Sequence, residues 1–175
     1  MEKKSKYKTY KKHWPRKNLG NLLNFLERIY PDGLSIYTLA KDFEMSPQAV
    51  SNLFLRDDMK LSKAEEIARL YGHTLHLYYP KRSFNADYQP RFKTKDYPNA
   101  GNLSGLIKYI NDSEYSLAFV AERISLYPGI LNRAFENGDI LLSVLNNTAD
   151  ALGIHIFWDF TKENKEIQKE TSCAS

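Results

Sequence analysis

Gln48, Ser51, Asn52 and Arg56 follow Ser46-Pro47 at steps that place them along one side of a helix. An amide side chain carries a donor and an acceptor together, and a guanidinium carries a planar fork of donors. Those groups suit base edges: Gln or Asn can bind adenine bidentately, and Arg can bind guanine or phosphate. The plainer reading of the same residues is a polar helix face turned to solvent. Catalytic or metal-binding sets are harder to find. His13, His73, His76 and His155 are scattered, His73 and His76 fall on opposite sides of a strand, and Cys173 lies in a polar tail. Neither a Gly-rich phosphate loop nor a nucleophile motif is present. The chain reads as a binding protein and not an enzyme, with no cofactor and no metal expected.

A second set of candidate contacts is electrostatic. Residues 1–17 hold Lys3, Lys4, Lys6, Lys8, Lys11, Lys12, Arg16 and Lys17 against the single acid Glu2. Residues 81–102 are also basic, with Lys81, Arg82, Arg91, Lys93 and Lys95 against two acids. Residues 18–80 carry a net −2 and residues 103–160 a net −4, so the overall +4 is concentrated in an arm and a connector. A basic arm reads as a contact to nucleic-acid phosphates, the bland alternative being a solvated tail. The connector interleaves its charge with Phe84, Tyr88, Phe92 and Tyr97. Such aromatics can stack on bases, but more commonly they pin a long connector onto its neighbours.

These residues must be positioned by helices. With 175 residues and 42% hydrophobic composition, the chain can bury a core as one ordinary domain or two small ones. No stretch approaches the roughly 20 apolar residues of a membrane span. No apolar segment follows the basic start, and the lone cysteine suits a reducing compartment, so a soluble cytoplasmic protein is expected. Laying Leu34–Gly72 over Tyr115–Gly153 at a constant offset of 81 needs no gap, and nine of 39 positions are identical. Chance would give roughly two or three at average composition. The identities include Ala40/Ala121, Pro47/Pro128, Phe54/Phe135, Asp58/Asp139 and Gly72/Gly153. The chain therefore divides into an arm (1–17), a first helical unit (18–80), a connector (81–102), a second unit (103–160) and a polar tail (161–175).

Within the first unit, Leu19, Leu22, Leu23 and Leu26 form an apolar stripe that Pro31-Asp32-Gly33 ends. Ser35 is the expected N-cap of a short second helix, and Ser46-Pro47 opens a third with Pro at its first position. Ser62-Lys63-Ala64-Glu65 has the form of a capping box for a fourth helix, which Gly72 stops. Asp57-Asp58 is expected to cap the end of the third helix and the turn after it. His73–Tyr79 then alternates as a strand. The second unit predicts helices near 103–111, 116–124, 128–137 and 141–152, with a strand over Ile154–Phe160.

Two short helices joined by a tight turn make a helix-turn-helix. Residues 35–72 and 116–153 each resemble the Cro/repressor (XRE-type) helix-turn-helix family. Ala40 and Ala121 match its alanine in the first helix of the motif, and Val50-Ser51 matches an apolar-Ser pair in the recognition helix. Ala64–Gly72 and Leu145–Gly153 are similar to its closing Leu-x-x-Ile-Ala-x-x-Leu-Gly stretch, and Glu136-Asn137-Gly138 to its Glu-x-Gly. At the turn, where the family has Gly, stand Glu44 and Ser125, which must take that backbone conformation at some cost.

The resemblance implies a mainly α fold of two tandem four-helix, lambda repressor-like units, each followed by a short strand. It implies a sequence-specific regulator of bacterial, phage or mobile-element type that binds double-stranded DNA and no membrane. Helix 47–55 would enter the major groove with Gln48, Ser51, Asn52 and Arg56 outward. In the second unit Asn132 and Arg133 would take this place, but Gly129 offers nothing and the acidic charge opposes phosphate, so weaker contact is expected. The competing reading is a protein-interaction or assembly module with a protein partner. The two strands are expected to pair antiparallel, either within the chain as a pseudo-dimer or between chains in a homodimer.

Overall fold

The computed structural model describes residues 14–80, 97–113 and 115–162. Lys3, Lys4, Lys6, Lys8, Lys11 and Lys12 of the arm, and connector residues 81–96, lie outside these. The order of elements is α1 (Gly20–Ile29), α2 (Ile36–Asp42), α3 (Pro47–Leu55), α4 (Leu61–Leu70) and β1 (His73–Tyr78), then a 3-10 turn at Gly101–Leu103, α5 (Ser104–Asn111), α6 (Leu117–Arg123), α7 (Pro128–Asn137), α8 (Leu142–Leu152) and β2 (Phe157–Lys162). The fold is mainly α with one two-stranded sheet. Helices α2, α3 and α4 begin 81 residues before α6, α7 and α8, the offset of the sequence repeat.

Local chemistry accounts for two of the helix starts. Ser46 Oγ accepts the Ala49 N–H at 3.2 Å and Pro47 occupies the first turn of α3. Ser116 Oγ does the same for Phe119 at the start of α6. Ser35 holds the N-cap position of α2 without a hydroxyl bond to the helix. The turns between α2 and α3, and between α6 and α7, put Glu44 (φ +52°) and Ser125 (φ +57°) in the left-handed region. The strain anticipated at these positions is therefore present in both.

Three expectations are corrected. The fourth helix starts at Leu61 with Lys60 as its N-cap, so Ser62 is not a capping residue; its N–H is taken by Asp139 Oδ1 from the other half, at 3.0 Å. Asp57 and Asp58 do not finish their own helix. Asp57 accepts the Asn18 and Leu19 N–H groups, each at 3.0 Å, at the start of α1. Asp58 accepts the Ser143 N–H at 3.0 Å and Oγ at 2.6 Å at the start of α8. The second strand begins at Phe157 and not at Ile154. Its register explains the shift: Leu77 faces Trp158 and Tyr78 faces Phe157, so residues 154–156 would have to pair with residues 79–81. Pro80 in that stretch has no N–H to give.

The strands β1 and β2 of one chain pair antiparallel with each other. The contact has a local twofold character. Leu77 and Trp158, which face each other, are 81 residues apart, as are Lys60 and Leu141, which form an isolated antiparallel bridge. Leu61 N–H donates to Ile140 O at 2.8 Å and Leu142 N–H to Met59 O at 2.9 Å, bonds that exchange under the same offset. The Ser62–Asp139 and Ser143–Asp58 bonds exchange likewise. A continuous apolar core runs through both halves, from Leu22, Leu26, Phe54 and Ile67 to Leu106, Leu131, Phe135 and Leu145. Phe160 from β2 stacks on Phe25 of α1 at 4.1 Å.

Candidate nucleic-acid interface

Helix α3 is anchored on one side by Val50 and Phe54, both fully buried. Residues opposite that stripe are forced outward by helical geometry. Gln48, Asn52 and Arg56 are exposed and follow one another at four-residue steps, forming a straight row along the helix. Gln48 Nε2 donates to Asn52 Oδ1 at 2.9 Å. The bond restrains both amides and leaves the Gln48 carbonyl and the Asn52 NH2 as an acceptor and a donor group side by side. An adenine edge offers the complementary pair in the major groove.

Ser51 is placed differently from the expectation. It is 8% exposed, at the margin of the Val50–Phe54 stripe, where its short side chain is covered. Asn132, which stands 81 residues later, is half-buried and occupied on both ends. Its Oδ1 accepts the Tyr97 hydroxyl at 2.6 Å, and its Nδ2 donates to Glu136 Oε1 at 3.1 Å. Arg133 is exposed. The row Gln48–Asn52–Arg56 corresponds on α7 to Gly129, Arg133 and Asn137, and the amino-terminal end of α7 instead exposes Tyr127 (76%) and Ile130 (52%).

The basic segments meet the fold at matching places. Trp14 is buried and stacks on Phe54 of α3 with ring centroids 4.9 Å apart. Tyr97 packs edge-on against Phe135 of α7 at 5.7 Å. Phe54 and Phe135 are equivalent under the repeat, and each anchor precedes a proline, Trp14-Pro15 and Tyr97-Pro98. Arg16 bonds Asn24 at 2.8 Å and pairs with Glu27, so it is engaged on α1, while Lys17 is exposed. Tyr97 thus does what the sequence led us to expect of the connector aromatics, pinning the connector onto its neighbour, whereas sequence reasoning missed Trp14, although the repeated aromatic-Pro pair beside a basic run was a readable signal. It also missed Asn102, whose side chain accepts the Leu77 N–H and donates to Leu75 O, covering the outer edge of β1.

Tyr30 donates to Asp42, and the Tyr71 hydroxyl lies within hydrogen-bond distance of both the Tyr30 hydroxyl, at 2.8 Å, and Asp42, at 3.1 Å, tying α1, α2 and the end of α4 together. Among the described residues no cluster of three or more His, Cys, Asp or Glu is arranged to hold a metal. Among the same residues no helix is long and apolar enough to cross a membrane. An open cleft of about 520 Å³ between α1 and β2, lined by Asn24, Glu27, Arg28 and Trp158, holds no candidate catalytic set.

No family model matches the chain. Over 93 residues, 52% of its length, it is 29% identical to the UPF0122 protein of Limosilactobacillus reuteri strain DSM 20016, covering 76% of that protein. The UPF0122 protein of Limosilactobacillus reuteri subsp. reuteri strain JCM 1112 matches to the same extent. No solved structure matches. The helical architecture is compatible with helix-turn-helix DNA binding.

Proposed function

We propose that this protein is a cytoplasmic, sequence-specific DNA-binding regulator that reads the major groove with helix α3. The observation that carries the reading is the exposed row Gln48–Asn52–Arg56 on the second helix of a tight helix–turn–helix, its amides already restrained by their mutual bond. The basic residues of 1–17 supply phosphate contacts, and Trp14 fixes their point of entry beside α3. The resemblance to the Cro/repressor family supports the same reading. It is tested by gel shift of the full chain on random-sequence duplex DNA at low salt. Retarded complexes that lose affinity steeply as salt rises are expected, and no complex at any salt would remove the proposal.

A second reading is favoured by the exposed Tyr127 and Ile130, which suit a protein surface better than a phosphate backbone. Under it the chain is an assembly module. Co-purification from the source cell of a stoichiometric protein, without nucleic acid, would support that reading over the first.

A further inference from the structure

We propose that a single copy of this chain occupies a complete two-part DNA site whose halves are unlike each other. The inference rests on the DNA-binding reading above and names the class of site it implies. A homodimer with identical recognition helices reads a palindrome because its twofold axis coincides with that of the site. Here the twofold relation lies inside one chain. Lys60 meets Leu141, Leu77 meets Trp158, and the Leu61–Ile140 and Leu142–Met59 bonds are each other's counterparts.

Rotation about a twofold axis leaves height along the axis unchanged. Helices α3 and α7 therefore stand at one level, and any component of their exposed faces along the axis points toward the same end. Their carboxyl ends lead within a few residues into the axis contacts at Lys60 and Leu141. One duplex laid across that end meets both helices, as two half-sites meet the two helices of a dimer.

The two faces differ in chemistry. On α3 the row is Gln48, Asn52, Arg56, a hydrogen-bonding set. On α7 the position of Gln48 is Gly129 and that of Asn52 is Arg133, while Ile130 is more than half exposed. Asn132 is held by Tyr97 and Glu136 and is withdrawn from readout. An apolar side chain in the major groove recognises the thymine methyl, and a lone Arg takes guanine or phosphate. The first half-site is then read by donor–acceptor pairing at adenine steps. The second is read by methyl contact through Ile130, with Arg133 as its positive charge. No second chain is needed to complete the interface, because the surface a partner would cover is already filled by the other half.

The test is selection of the full chain on a random duplex library, followed by native mass spectrometry of the selected complex. The expected result is a motif of two unlike halves at a fixed separation of about one helical turn, bound by one chain per duplex. Replacing thymine by uracil in the second half should weaken binding about fourfold for each contacted methyl, the worth of one buried methyl group. Ile130→Ala should abolish that uracil effect while leaving the first-half preference intact. Gln48→Ala should relax only the first half. A palindromic motif, two chains per duplex, protection of only one half-site, or a uracil effect unchanged by Ile130→Ala would each overturn the inference while leaving DNA binding standing. Failure to bind any duplex would remove the underlying function as well.

Discussion

What a side chain at the surface of α3 can offer follows from what it meets. Gln48 and Asn52 are bonded to each other at the surface, so their remaining groups are presented in a fixed relation and little rotamer freedom is left to lose on binding. On the DNA-binding reading, Asn52→Ala or Gln48→Ala should reduce discrimination between cognate and scrambled duplex by about 1–3 kcal/mol while leaving non-specific affinity nearly unchanged. Competitive binding of the two duplexes measures this directly; an equal loss on both would contradict the assigned role. Glu44 and Ser125 occupy left-handed backbone at φ +52° and +57°. Glycine would relieve roughly 1–2 kcal/mol of strain per site, partly offset by about 0.5–1 kcal/mol of added freedom in the unfolded chain. Glu44→Gly and Ser125→Gly should therefore each raise the thermal midpoint slightly, whereas Glu44→Val should lower it.

At the level of elements, the strand β1 is held from three directions. It pairs with β2, lies on α4, and has its outer edge covered by Asn102. Tyr79 extends this attachment: its hydroxyl donates to Asn102 O at 3.0 Å and its ring lies directly over Gly105 on α5. A methyl group at residue 105 would fall inside the van der Waals envelope of that ring. Gly105→Ala should thus cost about 1–3 kcal/mol in urea unfolding, against the slight gain that alanine ordinarily brings to a helix. Burial also pushes the Tyr79 hydroxyl up from its ordinary value of 10.0. Tyr71 is pushed up too, by burial first and then by its bond to Tyr30. The folded state holds these protons more tightly than the unfolded chain does. Their contribution is complete below pH 10 and declines as pH rises beyond it, where only the unfolded state ionises freely. The urea midpoint should fall above about pH 10 and fall less steeply in Tyr79→Phe; a midpoint flat to pH 11 would contradict this.

Across the whole molecule, charge and shape divide the work. The two helical halves are mildly acidic, and the positive charge resides in residues 1–17 and 81–102. If residues 1–17 neutralise about four to six phosphates, the logarithm of affinity should fall against the logarithm of salt with a slope of roughly −4 to −5. Deleting residues 2–13, which spares the Trp14 anchor on Phe54, should flatten that slope and weaken cognate and scrambled DNA alike. A slope unchanged by the deletion would assign the phosphate contacts elsewhere.

Patterns that depend on chain-local chemistry are legible in the sequence by itself. The apolar stripe of Leu22, Leu23 and Leu26, the Ser46-Pro47 start of α3 and the offset of 81 all describe interactions within a few turns of backbone, or a duplication preserved residue by residue. The exposed positions of Gln48, Asn52 and Arg56 followed from the same periodicity. Tertiary structure decided the rest, because the partners lie far along the chain. Asp57 reaches back 39 residues to cap α1, Asp58 reaches 85 residues forward to cap α8, and neither distance has a periodic signature. Ser51 and Asn132 could not be assigned from helical spacing, since a residue at the edge of a buried stripe is exposed or covered according to what packs beside it. The strand boundary at Phe157 was likewise set by Pro80 across the sheet, where a missing N–H in one strand ends the pairing of the other.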